Sequence, residues 1–429
     1  MNDTKGINGL EPLDQTQLNK ILHLHARFLS GKPGGARASV KDRDLSGLNF
    51  NGANLSQSDF TGCVFRGANL KDISFASATL FGCDLSKCMM QNADFSRADL
   101  RGTDIQLSDL TNANFSKADL RTGSSIIRQR RTSELYGRTG EGRVTFNGSI
   151  MTNANFKGAS ANMADFSDAL LENADFSMAD MRDAILNGAN LSNAEFDGAD
   201  LRDAEFNAAN LTGAHLVNNE TGGAVFAMAL QDLKEQRREI TMTEDELVLK
   251  HQQWVETAGR HGEKMNLTSY DLRRLKTLAG KRLTALTANN TVFSFLNLQD
   301  LEMQSAFLNY ADFRETDMRH ADLRGSTMNG AVFVRASLKH INCSPLIIKH
   351  GESTRMIPCS FKKAIFRFAD GTEGDFSHAD FSGADLTQAD FTGADLSDAI
   401  FTDANLDAVN FQGANLDGAV FDPDYSIEE

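Results

Sequence analysis

Carboxylates are the most regular reactive groups in this 429-residue chain. Along Asp385-Leu386-Thr387-Gln388-Ala389-Asp390-Phe391-Thr392-Gly393-Ala394-Asp395 an aspartate returns every five residues. Two carboxyl groups about 5 Å apart are the apparatus of a retaining glycosidase. Here the pairs recur on every repeat, which marks a solvated surface rather than a catalytic dyad. Calcium binding by such ladders is disfavoured too, because the Gly-rich nonapeptide of calcium β-rolls is missing. The nine histidines are scattered, and no Cys/His spacing has the form of a zinc site. No phosphate loop, dinucleotide fingerprint or nucleophile elbow is present. The expectation is a non-enzyme with no catalytic residue, cofactor or metal.

The element that must position these carboxylates is a five-residue unit: Ala, Asp or Asn, Leu or Phe, then two small polar residues. Five matches neither the 3.6 of a helix nor the 2 of a flat strand, so the backbone turns once per unit. Side chains alternate along the short extended piece. The Leu or Phe and the Ala two before it therefore face inward, and the Asp or Asn between them faces outward. Phe381, Phe391, Phe401, Phe411 and Phe421 alternate with Leu386, Leu396, Leu406 and Leu416. A coil of four units stacks Phe on Phe and Leu on Leu, whereas three units would mix them, and two leave no interior. Four sides per coil are predicted, with these residues as the core ladder.

These units resemble the A-(D/N)-L-x-x pattern of the bacterial pentapeptide-repeat family, over most of the chain. The resemblance implies an all-β solenoid, a right-handed quadrilateral β-helix with four pentapeptides per coil. Some members resemble duplex DNA in shape and charge, bind type II topoisomerases such as gyrase and protect them from inhibitors. Others are exported into host cells.

Breaks in the period divide the chain. Residues 1–39 read as a tail and capping helix: Asp14 to Gln17 has capping-box spacing, and Leu18, Ile21, Leu22, His25, Phe28 and Leu29 share a face. A first solenoid spans 40–226 with a loop insertion at 121–145. Residues 227–264 hold a linker and a second helix, with a capping box at Thr243 to Glu246 and a face of Leu247, His251, Trp254, Val255 and Ala258. A second solenoid spans 265–429, with one extra residue between Leu272 and Leu278, an insertion at 344–358 and a short acidic tail. His25-Ala26-Arg27-Phe28-Leu29 aligns with His251-Gln252-Gln253-Trp254-Val255, so the halves read as an internal duplication. The helices should cap solenoid ends, which otherwise expose core and unpaired edge. All five prolines (Pro12, Pro33, Pro345, Pro358, Pro423) lie outside the repeats, where a missing N–H would break the ladder.

Cys63, Cys83, Cys88 and Cys359 take the small inward position and Cys343 a centre. They read as buried free thiols of a reducing compartment. The beginning lacks the charged-then-apolar build of a signal peptide, and no apolar run would span a membrane. A cytoplasmic protein, monomer or weak dimer, is expected.

The net charge of −15 is unevenly spread: −2 over 40–120, −9 over 146–226, −8 over 361–421, and +4 over the insertion 121–145. Acidic faces make direct nucleic-acid binding unfavourable. Two readings of function follow from the residues, beside a third that the resemblance implies, a secreted effector or secretion-system accessory. The first is a rigid acidic protein-binding scaffold whose partner, of unknown identity, meets departures from the repeat: the cluster Arg128, Arg130, Arg131, Tyr136 and Arg138, suited to carboxylate or phosphate, and the outward apolar pair Ile400 and Val420. The second is a partial DNA mimic. The last block carries about −2.5 per coil against roughly 2.8 phosphate charges of duplex in the same rise.

Overall fold

The computed structural model describes residues 9–123, 142–227, 229–231, 238–239, 244–350, 353–423 and 425. The insertion arginines Arg128, Arg130, Arg131 and Arg138, with Tyr136, lie outside the described residues, as does Thr243. The chain divides into two compact units, 1–232 and 233–429.

In both units the local cause of the period is one repeated turn. After each Leu or Phe centre the chain turns a corner, so that the Ala N–H donates back to the preceding centre's carbonyl, as from Ala53 to Phe50 at 2.9 Å and Ala394 to Phe391 at 3.0 Å. The residue two after the centre takes positive φ, at Asn112 59°, Asn153 59° and Gln388 58°. Gly, Asn and Asp tolerate that region best, which accounts for their frequency there. The Asp or Asn before the centre accepts the N–H two residues on, as Asp390 does from Thr392 at 2.9 Å and Asn49 from Asn51 at 3.1 Å. This is the Asx turn, so the repeated carboxylate first of all builds the corner.

Each coil then pairs with the next through parallel bridges twenty residues apart, from Ser39↔Asp59 in the first unit to Ile400↔Val420 in the second. Twenty residues of five-residue units make four sides. Insertions leave the pairing intact: Asp104 bridges Thr145 and Thr327 bridges Ser360. A side-chain amide ladder runs past the first insertion, with Asn112 donating to Asn92 at 3.1 Å, Asn153 to Asn112 at 3.1 Å and Asn173 to Asn153 at 3.2 Å. In the first unit the bridges continue to Asn210↔Leu230, four residues beyond the expected boundary at 226.

The interior is filled by centres and small inward residues. Phe95, Phe115, Phe156 and Phe176 form a continuous stack in the first unit, with successive centroids 4.8–5.0 Å apart. In the second, Phe381, Leu386, Phe391, Leu396 and Phe401 are buried, and Phe381 stacks on Phe401 at 5.3 Å and Phe401 on Phe421 at 4.9 Å. Leu406, Phe411, Leu416 and Phe421 are only partly buried, because they belong to the last described coil, where Tyr425 covers the Phe421 ring at 5.2 Å. All five cysteines are free and buried. Cys63 and Cys88 donate to the Val40 and Phe65 carbonyls, and burial pushes both thiols up to about 12.

Helix α1, Gln15–Leu29, begins at the capping box of Asp14 and Gln17. Gln15 docks it on the first coils by bonding both the N–H and the carbonyl of Asn49 at 2.9 Å. Leu18 and His25 are enclosed and Ile21 and Leu22 pack against the core as expected, whereas Phe28 stays 37% exposed and lies over the His25 ring. Helix α2, Glu244–Glu256, buries Val248 and His251. Ala258 was expected on that face, but it lies beyond the helix end at positive φ and is exposed. Trp254 is half-buried and stacks on His251 at 5.7 Å.

Three pairs of short strands complete the elements. β1 (Glu11–Pro12) pairs with β2 (Arg43–Asp44), and β3 (Arg238–Glu239) with β4 (Tyr270–Asp271). The extra residue after Leu272 is taken up by a single 3-10 turn, Arg273–Leu275, closed by Lys276 at φ 60°. The insertion at 344–358 is an antiparallel hairpin of β5 (Leu346–His350) and β6 (Ser353–Ile357).

Candidate interaction surface

Since the centres and their small partners fill the interior, the chemistry-bearing groups sit on four outward columns per unit. In the first unit one column runs Asp99, Asp119, Ser160, Asp180, Asp200. Each aspartate in it is followed two residues later by an arginine that folds back on it with two charge-assisted bonds: Arg101 on Asp99, Arg121 on Asp119, Arg182 on Asp180 and Arg202 on Asp200, all at 2.6–2.9 Å. The Arg182 guanidinium beside Asp180 holds that carboxyl below the usual range, and Arg202 does the same for Asp200. The second unit repeats the device at Asp271/Arg273, Asp312/Arg314, Asp317/Arg319 and Asp322/Arg324. The Asp-x-Arg triplets are visible in the sequence, yet the analysis of charge by blocks missed that these arginines neutralise carboxylates locally.

The acidic block 361–421 is different. Arg367 is the last Lys or Arg in the chain. On its first two sides Asp380 pairs with Lys362 at 2.9 Å and Asp385 with Arg367 at 3.7 Å, and Asp403 and Asp407 follow one coil later. Its third side carries Asp370, Glu373 and Asp390, and its fourth Asp375, Asp395, Asp398 and Asp417. Asp370 bridges Asp390, and Asp375 bridges Asp395, so the columns run coil to coil at the strand spacing of about 4.8 Å. Lys339 of the preceding coil reaches Asp370 at 3.1 Å.

Ile400 and Val420 occupy the first side, next around the coil from the fourth. They are bridge partners, Val420 49% exposed and Ile400 half-buried, so they form one short apolar strip beside the carboxylates. The hairpin adds apolar surface that the sequence analysis missed. Ile347 and Met356 are opposite one another, and both, with Ile348, are about half exposed. Its base packs Leu346 against Gly325, where a Cβ would come within 2.7 Å of the Leu346 side chain. The run Leu346-Ile347-Ile348 followed by Lys349 was its one sequence signal.

A shallow groove of about 450 Å³ lies among Glu315, Thr316, Asp317, Arg319, Arg335, Ser337 and Lys339. Its cations already have companions, since Arg319 is bound by Asp317, Lys339 by Asp370, and Arg335 lies over the Phe368 ring at 4.9 Å. Among the described residues no group of three or more His, Cys, Asp or Glu could hold a metal, and no helix is long and apolar enough to cross a membrane. Of the residues singled out from sequence, the structure brings together Ile400 with Val420, His25 with Phe28, and His251 with Trp254.

Comparison with known proteins agrees with this architecture. The pentapeptide-repeat profile matches in eight copies over 44–80, 68–106, 78–116, 297–335, 359–388 and 384–422, and a pentapeptide-repeat-region profile matches 142–216. Together these spans cover more than half of the chain. Among solved structures, QnrB1, a plasmid-mediated fluoroquinolone resistance protein, is 21% identical over 46% of this chain and 90% of its own, with a TM-score of 0.27. HetL, a pentapeptide repeat protein involved in heterocyst differentiation regulation from the cyanobacterium Nostoc sp. strain PCC 7120, is 16% identical over 97% of this chain and 100% of its own, with a TM-score of 0.14. Rfr23 from the cyanobacterium Cyanothece 51142 is 17% identical over 35% of this chain and 95% of its own, with a TM-score of 0.18. At such TM-scores these neighbours add nothing to the profile match. No curated protein sequence matches the chain. The repeats matched by the profiles are those whose coils pair every twenty residues, and the chain belongs to the pentapeptide-repeat family.

Proposed function

We propose that this protein is a non-catalytic protein-binding scaffold, built of right-handed quadrilateral coils as the family implies, and that its last block is the recognition surface. The observation that carries this reading is the concentration of charge: Asp370, Glu373, Asp390, Asp375, Asp395, Asp398 and Asp417 lie on two adjacent sides beyond the last Lys or Arg, met by Lys339 at Asp370 and by the imidazoles of His340 at Glu373 and His378 at Asp398, with Ile400 and Val420 on the side next to them. An apolar strip flanked by one sign of charge fits a basic protein surface with an apolar centre, the charges steering approach and the strip supplying desolvated contact. Elsewhere the Asp-x-Arg pairs neutralise single columns, such as that of Asp180 and Asp200, although 146–226 keeps a net charge of −9. The Arg-rich segment around Arg128 and Arg138 is a second contact in this proposal, resting on its sequence alone.

The test compares capture by the full chain with capture by Asp375→Asn/Asp390→Asn/Asp395→Asn and by Val420→Ser. Asparagine keeps the Asx turn while removing charge, so the fold is preserved. Loss of the same prey in both variants, and release from the unaltered chain by salt, supports the reading. Equal capture by all three chains overturns it.

Mimicry of duplex DNA is favoured by the charge per coil of the last block, about −2.5 against roughly 2.8. It is disfavoured by the distribution, because a duplex is charged on both strands whereas here Asp380 and Asp385, on the first two sides, are paired with Lys362 and Arg367. Gyrase supercoiling unaffected at micromolar protein would eliminate this alternative.

A further inference from the structure

The two helices hold their solenoid units through one device built twice. His25 is fully buried, and its Nδ1 receives the N–H of Ala38 at 3.0 Å while its Nε2 lies 3.0 Å from the carbonyl of Ser56. His251 is fully buried, and its Nδ1 receives the N–H of Met265 at 3.1 Å while its Nε2 lies 2.9 Å from the carbonyl of Thr284. An aromatic ring three residues on stacks over each imidazole, Phe28 at 5.7 Å and 23°, Trp254 at 5.7 Å and 22°. The return of the chain matches as well: Ala36 donates to the Leu24 carbonyl at 3.0 Å, and Glu263 to the Lys250 carbonyl at 3.1 Å.

A backbone N–H only donates and a carbonyl only accepts. Each ring must therefore be neutral, with its proton on Nε2 and its lone pair on Nδ1. A second proton on Nδ1 would set N–H against N–H and remove the acceptor of Ala38 or Met265. The charged groups acting on the two rings are also equivalent. Arg37 immediately precedes Ala38 and disfavours a cation at His25, and Lys264 immediately precedes Met265 and does so at His251. Arg37 is held by the Gln57 carbonyl, and Lys264 by the faces of Trp254 and Phe307 at 5.7 and 5.8 Å. The coils beneath present neutral groups there, Ser56 and Gln57 in one unit, Thr284 and Ala285 in the other.

We propose that His25 and His251 are acid-operated latches: protonation of each imidazole releases its helix from the first coils of its own unit and uncovers the N-terminal end of that solenoid. Burial, followed by the neighbouring cation, lowers the proton affinity of both rings below the ordinary 6.5, against the carbonyl hydrogen bond that raises it. The sign follows. A histidine whose folded pKa lies below its unfolded value contributes stability that is complete above about 6.5 and is lost as pH falls through that value toward the folded pKa. The corner histidines of the repeats, His320, His340 and His378, are not buried, so the helices let go before the coils. What is uncovered is an open strand edge with its row of unpaired backbone groups, a ready template for another chain.

Hydrogen exchange of the full chain, followed by mass spectrometry from about pH 7 to about pH 5 and corrected for intrinsic rates, tests this. Peptides covering 15–29 with 36–40, and 244–256 with 263–267, should lose protection by close to tenfold per pH unit between about 6.5 and the folded pKa, and level off below it. Peptides around Phe156 and Phe381 should keep theirs. In His25→Gln/His251→Gln, whose amides stay neutral, the pH dependence of both helices should vanish whatever their starting protection. Helix protection that is flat across this range, that is lost only together with the coils, or that keeps its pH dependence in the double variant overturns the proposal. If the double variant does not fold, the unaltered chain decides on the first two outcomes.

Discussion

Phe115 and Phe156 are forty-one residues apart in the chain, yet their rings stack at 4.8 Å with planes 1° apart. The column passes the first insertion as though it were absent, and the backbone bridge Asn114↔Asn155 beside it does the same. A solenoid coil is held by its neighbours above and below, so extra chain at one corner is tolerated when both coils it joins remain in contact.

Excision of 124–141 should therefore leave both flanking coils folded. The ends already meet, with the Gly123 N–H donating to the Gly142 carbonyl at 2.8 Å. Closing a shorter loop changes chain entropy by only about 0.6 kcal/mol per halving of length. Thermal unfolding followed by circular dichroism should shift by a few degrees at most, whereas Phe156→Ala in the intact chain should cost roughly 3–5 kcal/mol. A collapse of the transition on excision would contradict this. The same excised chain, used as bait, reports whether the arginine segment contributes to partner capture.

Asp390 separates the structural from the electrostatic role of the repeated carboxylate. It accepts both the N–H and the hydroxyl of Thr392, at 2.9 and 2.6 Å. Asp390→Ala removes the acceptor from the corner and should cost about 1 kcal/mol in denaturant unfolding. Asp390→Asn keeps an oxygen at the corner and should lose less. Equal losses would mean that charge, not turn geometry, selects the residue.

Asp104 carries the opposite prediction. Burial, followed by the adjacent Asp84 carboxylate, raises its pKa despite hydrogen bonds from Gln106 and Thr145. A carboxyl that holds its proton more tightly when folded favours the fold at low pH and loses that advantage as pH rises through the folded value. Asp104→Asn should thus raise the melting temperature at pH 7, with the gain shrinking toward pH 4. A loss of stability at pH 7 would show that the charge is compensated.

The thiols should be silent. Cys63 and Cys88 combine burial with pKa values near 12, and Cys343 and Cys359 are equally enclosed. An aromatic disulfide reagent at pH 8 should release no chromophore from the native chain and that of five thiols in denaturant. Rapid reaction of any one thiol would place a local opening at its coil.

Much of the architecture is legible in the residues because the repeat is local. A centre every five residues and an Asx-forming residue before it determine the corner, and alternation of Phe and Leu over Phe381 to Phe421 determines how many corners make a coil. His25 and His251 align by eye. The failures have equally local reasons. The face of α2 is centred on Val248, because the helix ends at Glu256 and Ala258 cannot lie on it. The hairpin Leu346–Ile357 was read only as an insertion, since ten strand residues carry too little pattern to stand out between two prolines.

What the amino-acid order determined by itself was the coil: its period, its filled interior and the places where it is interrupted. Four units per coil already placed residues twenty apart in one column; tertiary structure alone decided what meets across the insertions and between each helix and its coils. Asp375 lies over Asp395 and Ile400 beside Val420 because stacking converts a position within the coil into a column. Each imidazole is held neutral because a backbone N–H and a carbonyl from different coils converge on its two nitrogens. Such convergence depends on pairing between coils, a non-local hydrogen-bond geometry that no five-residue unit contains.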